Sequence, residues 1–249
     1  SAMVFSTGYQ TNLGLLMALL QPGDKVVLDA HSHACIYDGC RISGADFFAF
    51  RHNDAEDLRK RLRRLGGAAE GALVIAEGLY SMWGDTAPLA DLCAVAKEFG
   101  AWFMVDEAHS FAVYGETGRG LCEEAGILDQ VDFITGTFSK SLASLGGFCV
   151  SRHPELQLLR YGSRPYIFTA SPSPASASSS RQASRSARRA RRTCCGSPSS
   201  IARAFHVRSI VIARRHRRRS NPALNLPLLD CFAVARNDPD CFRLKLKFF

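Results

Sequence analysis

The sequence predicts an α/β fold over residues 1–171, a mostly parallel sheet with helices on both faces. Two observations carry this prediction. Short, continuously apolar runs alternate with longer segments whose apolar residues recur at helical spacing, the pattern of strands covered on both faces. Four of those runs also end on one polar residue, Asp29, Glu77, Asp106 and Thr137. In open parallel sheets ligands gather at the carboxyl ends of the strands.

The elements follow in order. Residues 10–20 are predicted as a helix with Leu13, Leu16, Met17 and Leu20 on one face, stopped by Pro22-Gly23. Residues 25–30 and 46–50 read as strands. Asp54 is predicted to cap a helix running to Leu65, with Leu58, Leu62 and Leu65 inward and Gly66-Gly67 as its stop. Residues 73–77, 102–106, 133–136 and 147–150 read as further strands, with a helix over about 88–99. Residues 166–170 have the composition of one more strand.

A chain of 249 residues with 47% hydrophobic content is long enough to bury a core. No apolar run approaches the ~18 residues of a membrane span. The start has no basic segment followed by an apolar one, so no signal peptide is predicted and a cytoplasmic location is expected. It enters a structured pattern at once, as a chain cut into from upstream would. The nine Cys are scattered, without C-x-x-C or Cys/His spacing, and are expected to be reduced thiols. His31, His33 and His109 lack the spacing of metal ligands, so no metal is predicted.

The net charge of +8 comes from one region. Residues 171–229 carry 13 Arg and no Lys, Asp or Glu, whereas 1–170 hold more acidic than basic residues. Residues 172–249 are expected to be irregular or disordered, with no recognisable domain. Two readings of this tail stand. One is a basic tail that binds nucleic acid or an acidic surface, in a non-catalytic protein. The other, favoured by the abrupt break after residue 170, is an out-of-frame reading of GC-rich DNA.

The chemistry centres on Gly136-Thr137-Phe138-Ser139-Lys140-Ser141. A Lys among small hydroxyl residues at a strand end has the surroundings of one that forms a Schiff base with pyridoxal 5'-phosphate. That cofactor needs a carboxylate at its pyridine nitrogen, and Asp106 fits. It needs a flat group against its ring, for which His33 is the candidate. It needs amide donors for its phosphate, and Thr7-Gly8-Tyr9-Gln10 opens a helix. Asp106-Glu107-Ala108-His109 also spells a helicase-like acidic box, but the phosphate loop such proteins need is missing.

Three stretches occur together: Asp106-Glu107-Ala108-His109-Ser110, Gly115-Glu116-Thr117-Gly118-Arg119-Gly120 and Gly136-Thr137-Phe138-Ser139-Lys140. In this order and spacing they resemble the α-oxoamine synthases, fold-type-I pyridoxal-phosphate enzymes that condense an amino acid with an acyl thioester and release CO2. Residues 32–39, 50–54, 80–85 and 164–171 resemble the bacterial serine palmitoyltransferase branch of that family. The resemblance spans residues 1–171.

It implies that Lys140 holds the cofactor and moves the substrate α-proton, and that His33 stacks on the ring and helps place the substrate carboxylate. It implies that Asp106 pairs with the ring nitrogen and that His109 bonds the phenolic oxygen, with Ser81 nearby. Gly8, Tyr9, Thr137 and Ser139 lie around phosphate and ring, and Thr169 reaches the phosphate of a neighbouring subunit in a homodimer. The implied substrates are L-serine and a long-chain acyl-CoA or acyl-carrier thioester, with no nucleic-acid partner. Relatives that use other amino acids, the 8-amino-7-oxononanoate synthases and 2-amino-3-oxobutyrate ligases, remain the alternatives within the class. The family's N-terminal arm and C-terminal small domain are not recognisable, so a truncated or frameshifted copy with impaired activity is expected.

Overall fold

Seven strands form one sheet in the computed structural model, which describes residues 1–176 and 178. They are β1 (Ala2–Phe5), β2 (Lys25–Asp29), β3 (Asp46–Phe50), β4 (Leu73–Glu77), β5 (Trp102–Asp106), β6 (Phe133–Thr137) and β7 (Gly147–Ser151). Their order across the sheet is β1-β7-β6-β5-β4-β2-β3. The five strands from β3 to β6 run parallel, while β7 is antiparallel to β6 and β1 antiparallel to β7. The predicted mostly parallel sheet is therefore present.

The continuous apolar runs are explained by cover on both faces. Every residue of β4 and β6 is buried, and β2 and β5 are buried beyond their first residue. Successive side chains point to opposite faces. Val27, Val74, Phe103 and Val105 pack with Leu58, Leu62 and Leu92 on one side. Val26, Leu28, Ile75 and Met104 pack with Leu15, Leu16, Ile36 and Cys40 on the other.

The helices are α1 (Gly8–Leu19), α2 (Ala34–Ser43), α3 (Ala55–Leu65), α4 (Leu89–Glu98) and the short α5 (Leu121–Glu124), α6 (Leu159–Gly162) and α7 (Arg164–Ile167). α3 starts as predicted, with the Asp54 carboxylate accepting from Asp57 N at 2.8 Å. α1 is present, but its buried face is Thr11, Asn12, Leu15 and Leu16 rather than the predicted stripe, of which only Leu16 is fully buried. The reason is tertiary: α1 is wedged against α2, where a Cβ on Gly39 would come 2.7 Å from Leu16 Cδ1.

Three elements depart from expectation. α2 was not predicted, because its inward residues Cys35, Ile36, Gly39 and Cys40 include two small thiols and a glycine, a weak helical signal. β1 is an edge strand of four residues, too short to read from pattern alone. Of the strand expected over 166–170, Tyr166 and Ile167 instead end α7, which carries Pro165 in its first turn, where a missing N–H costs nothing, and 168–170 are irregular.

Cys35, Cys40, Cys93, Cys122 and Cys149 are free and buried, as reduced thiols would be. Among the described residues no helix is long and apolar enough to cross a membrane. Of the tail expected to be irregular, only residues 172–176 and 178 are described, and 174–176 are helical. The rest of that expectation, the Arg-rich segment included, lies outside the described residues.

Candidate functional site

The parallel strands β2, β4, β5 and β6 end on Asp29, Glu77, Asp106 and Thr137, so these side chains share one edge of the sheet. Asp106 is held from two sides. Its Oδ1 accepts from Ala108 N at 2.9 Å and its Oδ2 from Asn12 Nδ2 at 2.6 Å. The Ala108 bond closes the turn that carries His109. Glu107 of the same motif faces elsewhere: it is fully buried and accepts from Leu121 N at 2.9 Å and Cys122 N at 2.7 Å, anchoring α5.

Lys140 lies in the loop from β6 to β7. That loop is pinned by Phe138 N donating to Gly146 O and Ser144 N to Phe138 O, each at 2.9 Å, and by Ser141 Oγ donating to Phe111 O at 2.7 Å. Lys140 Nζ stands 2.5 Å from His109 Nε2. The lysine reaches solvent, yet protein atoms crowd most of its length. The lost hydration lowers its affinity for a proton, against the pull of Asp106, Glu77 and Cys35. Burial, with the Lys140 and His33 charges, drives His109 down to about 3, so its imidazole is neutral and accepts from the lysine.

His33 caps α2. Its N–H donates to Glu77 Oε1 at 2.5 Å, and its Nδ1 accepts from Cys35 N at 3.2 Å. The imidazole is exposed, with the Tyr9 ring meeting it edge-on at 6.2 Å. Tyr9 is held in turn by its hydroxyl bond to Asp38. Glu77 lies opposite Asp106 in the β4–β5 register. Burial, then the Asp106 charge, pushes the Glu77 carboxyl up to about 8.

The start of α1 abuts the end of β6. Thr7 Oγ1 accepts from Gln10 N at 3.1 Å, and the next N–H groups, of Gly8 and Tyr9, are among those a helix leaves without an internal acceptor. A Cβ on Gly8 would lie 2.7 Å from Thr137 Cβ, so only glycine lets the two meet. Thr137 Oγ1 donates to Gly146 O at 3.0 Å and pairs with Ser139 Oγ at 2.8 Å. Gln10 Nε2 donates to Thr169 Oγ1 at 3.1 Å, which brings Thr169 to the same helix end.

The structure thus gathers Lys140, His109, Asp106, His33, Gly8, Tyr9, Thr137, Ser139 and Thr169 around one edge. Ser81 sits in the exposed turn after β4 and hydrogen-bonds none of them. Sequence reasoning missed Asn12 and Cys35 and assigned Glu77 no role. Asn12 had a signal, a carboxamide directly before the apolar stretch of α1. Glu77 shared the strand-end position that marked Asp106.

Among the described residues, the carboxylate and imidazole groups that converge with metal-ligand spacing are Asp29, His31 and His52, a group that includes His31 but not His33 or His109. Two of its groups, Asp29 and His52, already hold hydrogen bonds within the protein. Asp29 accepts from His52 Nδ1 at 2.9 Å, His31 N at 2.8 Å and Asn53 N at 2.9 Å, and His52 Nε2 meets Asp85 at 2.9 Å.

Residues 1–195 match the family described as aminotransferase class I and II. The chain is 58% identical over 178 residues to a serine palmitoyltransferase of Caulobacter vibrioides, covering 72% of this chain and 44% of that protein. It is 42% identical over 189 residues to an 8-amino-7-oxononanoate synthase of Alkalilimnicola ehrlichii, covering 76% and 48%. A solved serine palmitoyltransferase from S. paucimobilis, bound to a PLP–myriocin aldimine, superposes with a TM-score of 0.73 at 49% identity, over 76% of this chain and 48% of that one. The chain therefore spans less than half the length of these relatives.

Proposed function

The chain belongs to the aminotransferase class I and II family, and we propose from this that it is a pyridoxal-phosphate-dependent acyltransferase. In this reading it joins L-serine to a long-chain acyl thioester, on CoA or a carrier, with loss of CO2. The observation that carries it is the 2.5 Å contact of Lys140 Nζ with a neutral His109, on the sheet edge where Asp106 ends β5. Residues 1–171 form the cofactor domain in this reading.

The residues fit that cofactor. Gly8 leaves room where a Cβ would strike Thr137, at a helix start suited to a phosphate. Asp106, fixed by two donors, would hold the proton of the pyridine nitrogen. Glu77, neutral below about pH 8, spares Asp106 a second negative neighbour. His33 would cover the ring face and His109 would donate to or accept from its phenolic oxygen. Thr137 and Ser139 would bond the phosphate, with Thr169 reaching that of a partner subunit and Ser81 completing the phenolic side. When bound, the cofactor supplies a conjugated cation that takes up the electron pair released at the amino acid's Cα. Lys140, partly stripped of water, would attach it and then move the α-proton. The neutral His109 beside it accepts a hydrogen bond from Nζ and adds no second positive charge.

A homodimer is part of the proposal. Tyr161, Phe168 and Leu158 are 83%, 78% and 66% exposed, apolar surface that a second subunit would cover. The buried, reduced thiols suit a cytoplasmic enzyme. The 42% identity to an 8-amino-7-oxononanoate synthase favours one second reading, in which alanine replaces serine.

The test is direct. The 249-residue chain is mixed with pyridoxal 5'-phosphate, reduced with borohydride and digested. A cofactor adduct on the Lys140 peptide, absent from Lys140→Ala, is expected. An adduct on another lysine, or none, overturns the reading. Product analysis with serine, alanine and glycine beside palmitoyl-CoA then separates the two substrate assignments.

A further inference from the structure

We propose that Asn12 is a positioning residue that ties the carboxylate of Asp106 to the imidazole of His33 through the thiol of Cys35. The proposal deepens the cofactor reading above and rests on it, since Asp106 and His33 are the groups placed at the ring nitrogen and the ring face.

The geometry runs through three elements. The carboxamide of Asn12, in α1, donates from Nδ2 to Asp106 Oδ2 at 2.6 Å and to Cys35 Sγ at 3.2 Å. Cys35 Sγ, in α2, lies 2.9 Å from Nδ1 of His33. All three linking groups are shielded from water: Asn12, Cys35 and Asp106 are 3%, 2% and 5% exposed. An amide nitrogen carries two hydrogens, and both are used here.

The direction of each bond follows from elementary valence. His33 Nδ1 accepts from the Cys35 backbone N–H, so it carries no proton. The thiol keeps its own proton, because burial and the Asp106 charge push it up to about 12. The S–H therefore points at Nδ1, whose single lone pair it shares with the longer Cys35 backbone bond, while the sulfur accepts from Asn12. The His33 proton is thereby confined to Nε2, away from the body of α2.

The amide cannot turn over to satisfy itself. Rotating it would set Asn12 Oδ1 against the Asp106 carboxylate, oxygen facing oxygen. In the orientation present Oδ1 is buried without a partner. Leaving a buried acceptor unpaired is unfavourable, so Asn12 is not placed for packing. What the position gains is the pair of donated bonds.

The test has a readout that needs no cofactor. In the 249-residue chain, the ring nitrogens of His33 are followed by 15N NMR. Wild type is expected to show a single tautomer with the proton on Nε2. Asn12→Leu keeps the size and removes both donors; Cys35→Ala and Cys35→Ser remove and restore the thiol's bond. A shift of the Nδ1 resonance in Asn12→Leu and Cys35→Ala toward that of a nitrogen accepting from one donor fewer, with the wild-type position regained in Cys35→Ser, supports the link. An unchanged His33 signal in Asn12→Leu overturns it. If Asn12→Leu does not fold, the Cys35 pair decides by the same signals. Titration of visible absorbance with pyridoxal 5'-phosphate is the second arm, with affinity expected to fall about tenfold in Asn12→Leu, as one lost charged hydrogen bond would cause. Failure of wild type to bind the cofactor would sink the reading of function but leave the NMR outcome to decide the Asn12 link.

Discussion

Lys140 and His109, 31 positions apart, meet at 2.5 Å between Nζ and Nε2, and the charge on the lysine disfavours a second charge on the imidazole. Burial is the larger cause at both residues, and the Lys140 charge adds to it at His109. The imidazole remains neutral over the range in which a free histidine titrates.

This makes His109 a source of acid sensitivity. Its folded value, about 3, is depressed below the unfolded value of ~6.5, so the unfolded chain binds the extra proton first. Stability is fully present above pH ~6.5 and is lost progressively as pH falls toward 3. His109→Asn, which cannot take up that proton, is expected to lose less stability than wild type between pH 7 and pH 4.5. Urea denaturation of both chains at the two pH values measures the difference, and equal losses would exclude the effect.

Glu77 has the opposite sign. Its carboxyl is raised to about 8, so the contribution is complete below the ordinary carboxylate range and disappears as pH rises through 8. Glu77→Gln keeps the acceptor for His33 N–H without the ionisable group. We expect it to match wild type near pH 4.5 and to exceed it by roughly 1–3 kcal/mol at pH 8, since a tenfold change in proton affinity is worth about 1.4 kcal/mol. Denaturation midpoints at both pH values provide the check.

His52 fastens the turn after β4. Burial opposes its protonation, but the bonds and charges of Asp29 and Asp85 outweigh burial and raise it. The ring also carries a stack, with His31 at 4.2 Å and Trp83 beyond it at 5.3 Å. This contribution is complete below the unfolded value of ~6.5 and is lost as pH rises through the raised one. His52→Ala should cost about 1–3 kcal/mol at pH 6 and less at pH 8.5. A cost that grew with pH would contradict the clamp.

Gly8 sets the fit between α1 and β6. Gly8→Ala would place a Cβ 2.7 Å from Thr137 Cβ and 2.9 Å from its Oγ1. Overpacking of this kind costs about 1–3 kcal/mol. The helix start must back away, so cofactor affinity should fall by more than the stability loss explains. Parallel thermal melts and cofactor titrations of Gly8→Ala separate the two effects, and an unchanged affinity would refute the placement.

The amino-acid sequence by itself determined what depends on neighbours along the chain. Continuous apolar runs marked β2 to β7, Asp54 marked the start of α3, and strand-end carboxylates marked the site edge, because burial on both faces and helix capping are local demands. Lys140, Asp106, His109 and His33 could be nominated as candidates because their motifs are contiguous. Tertiary structure decided the rest. It chose the inward face of α1 against α2, made residues 164–167 a helix, and set Asn12 on Asp106 across 94 positions and His52 between Asp29 and Asp85. Local propensity could not have chosen these, because a side chain's partner and charge state are set by what folding brings within a few ångströms and by how much water it removes.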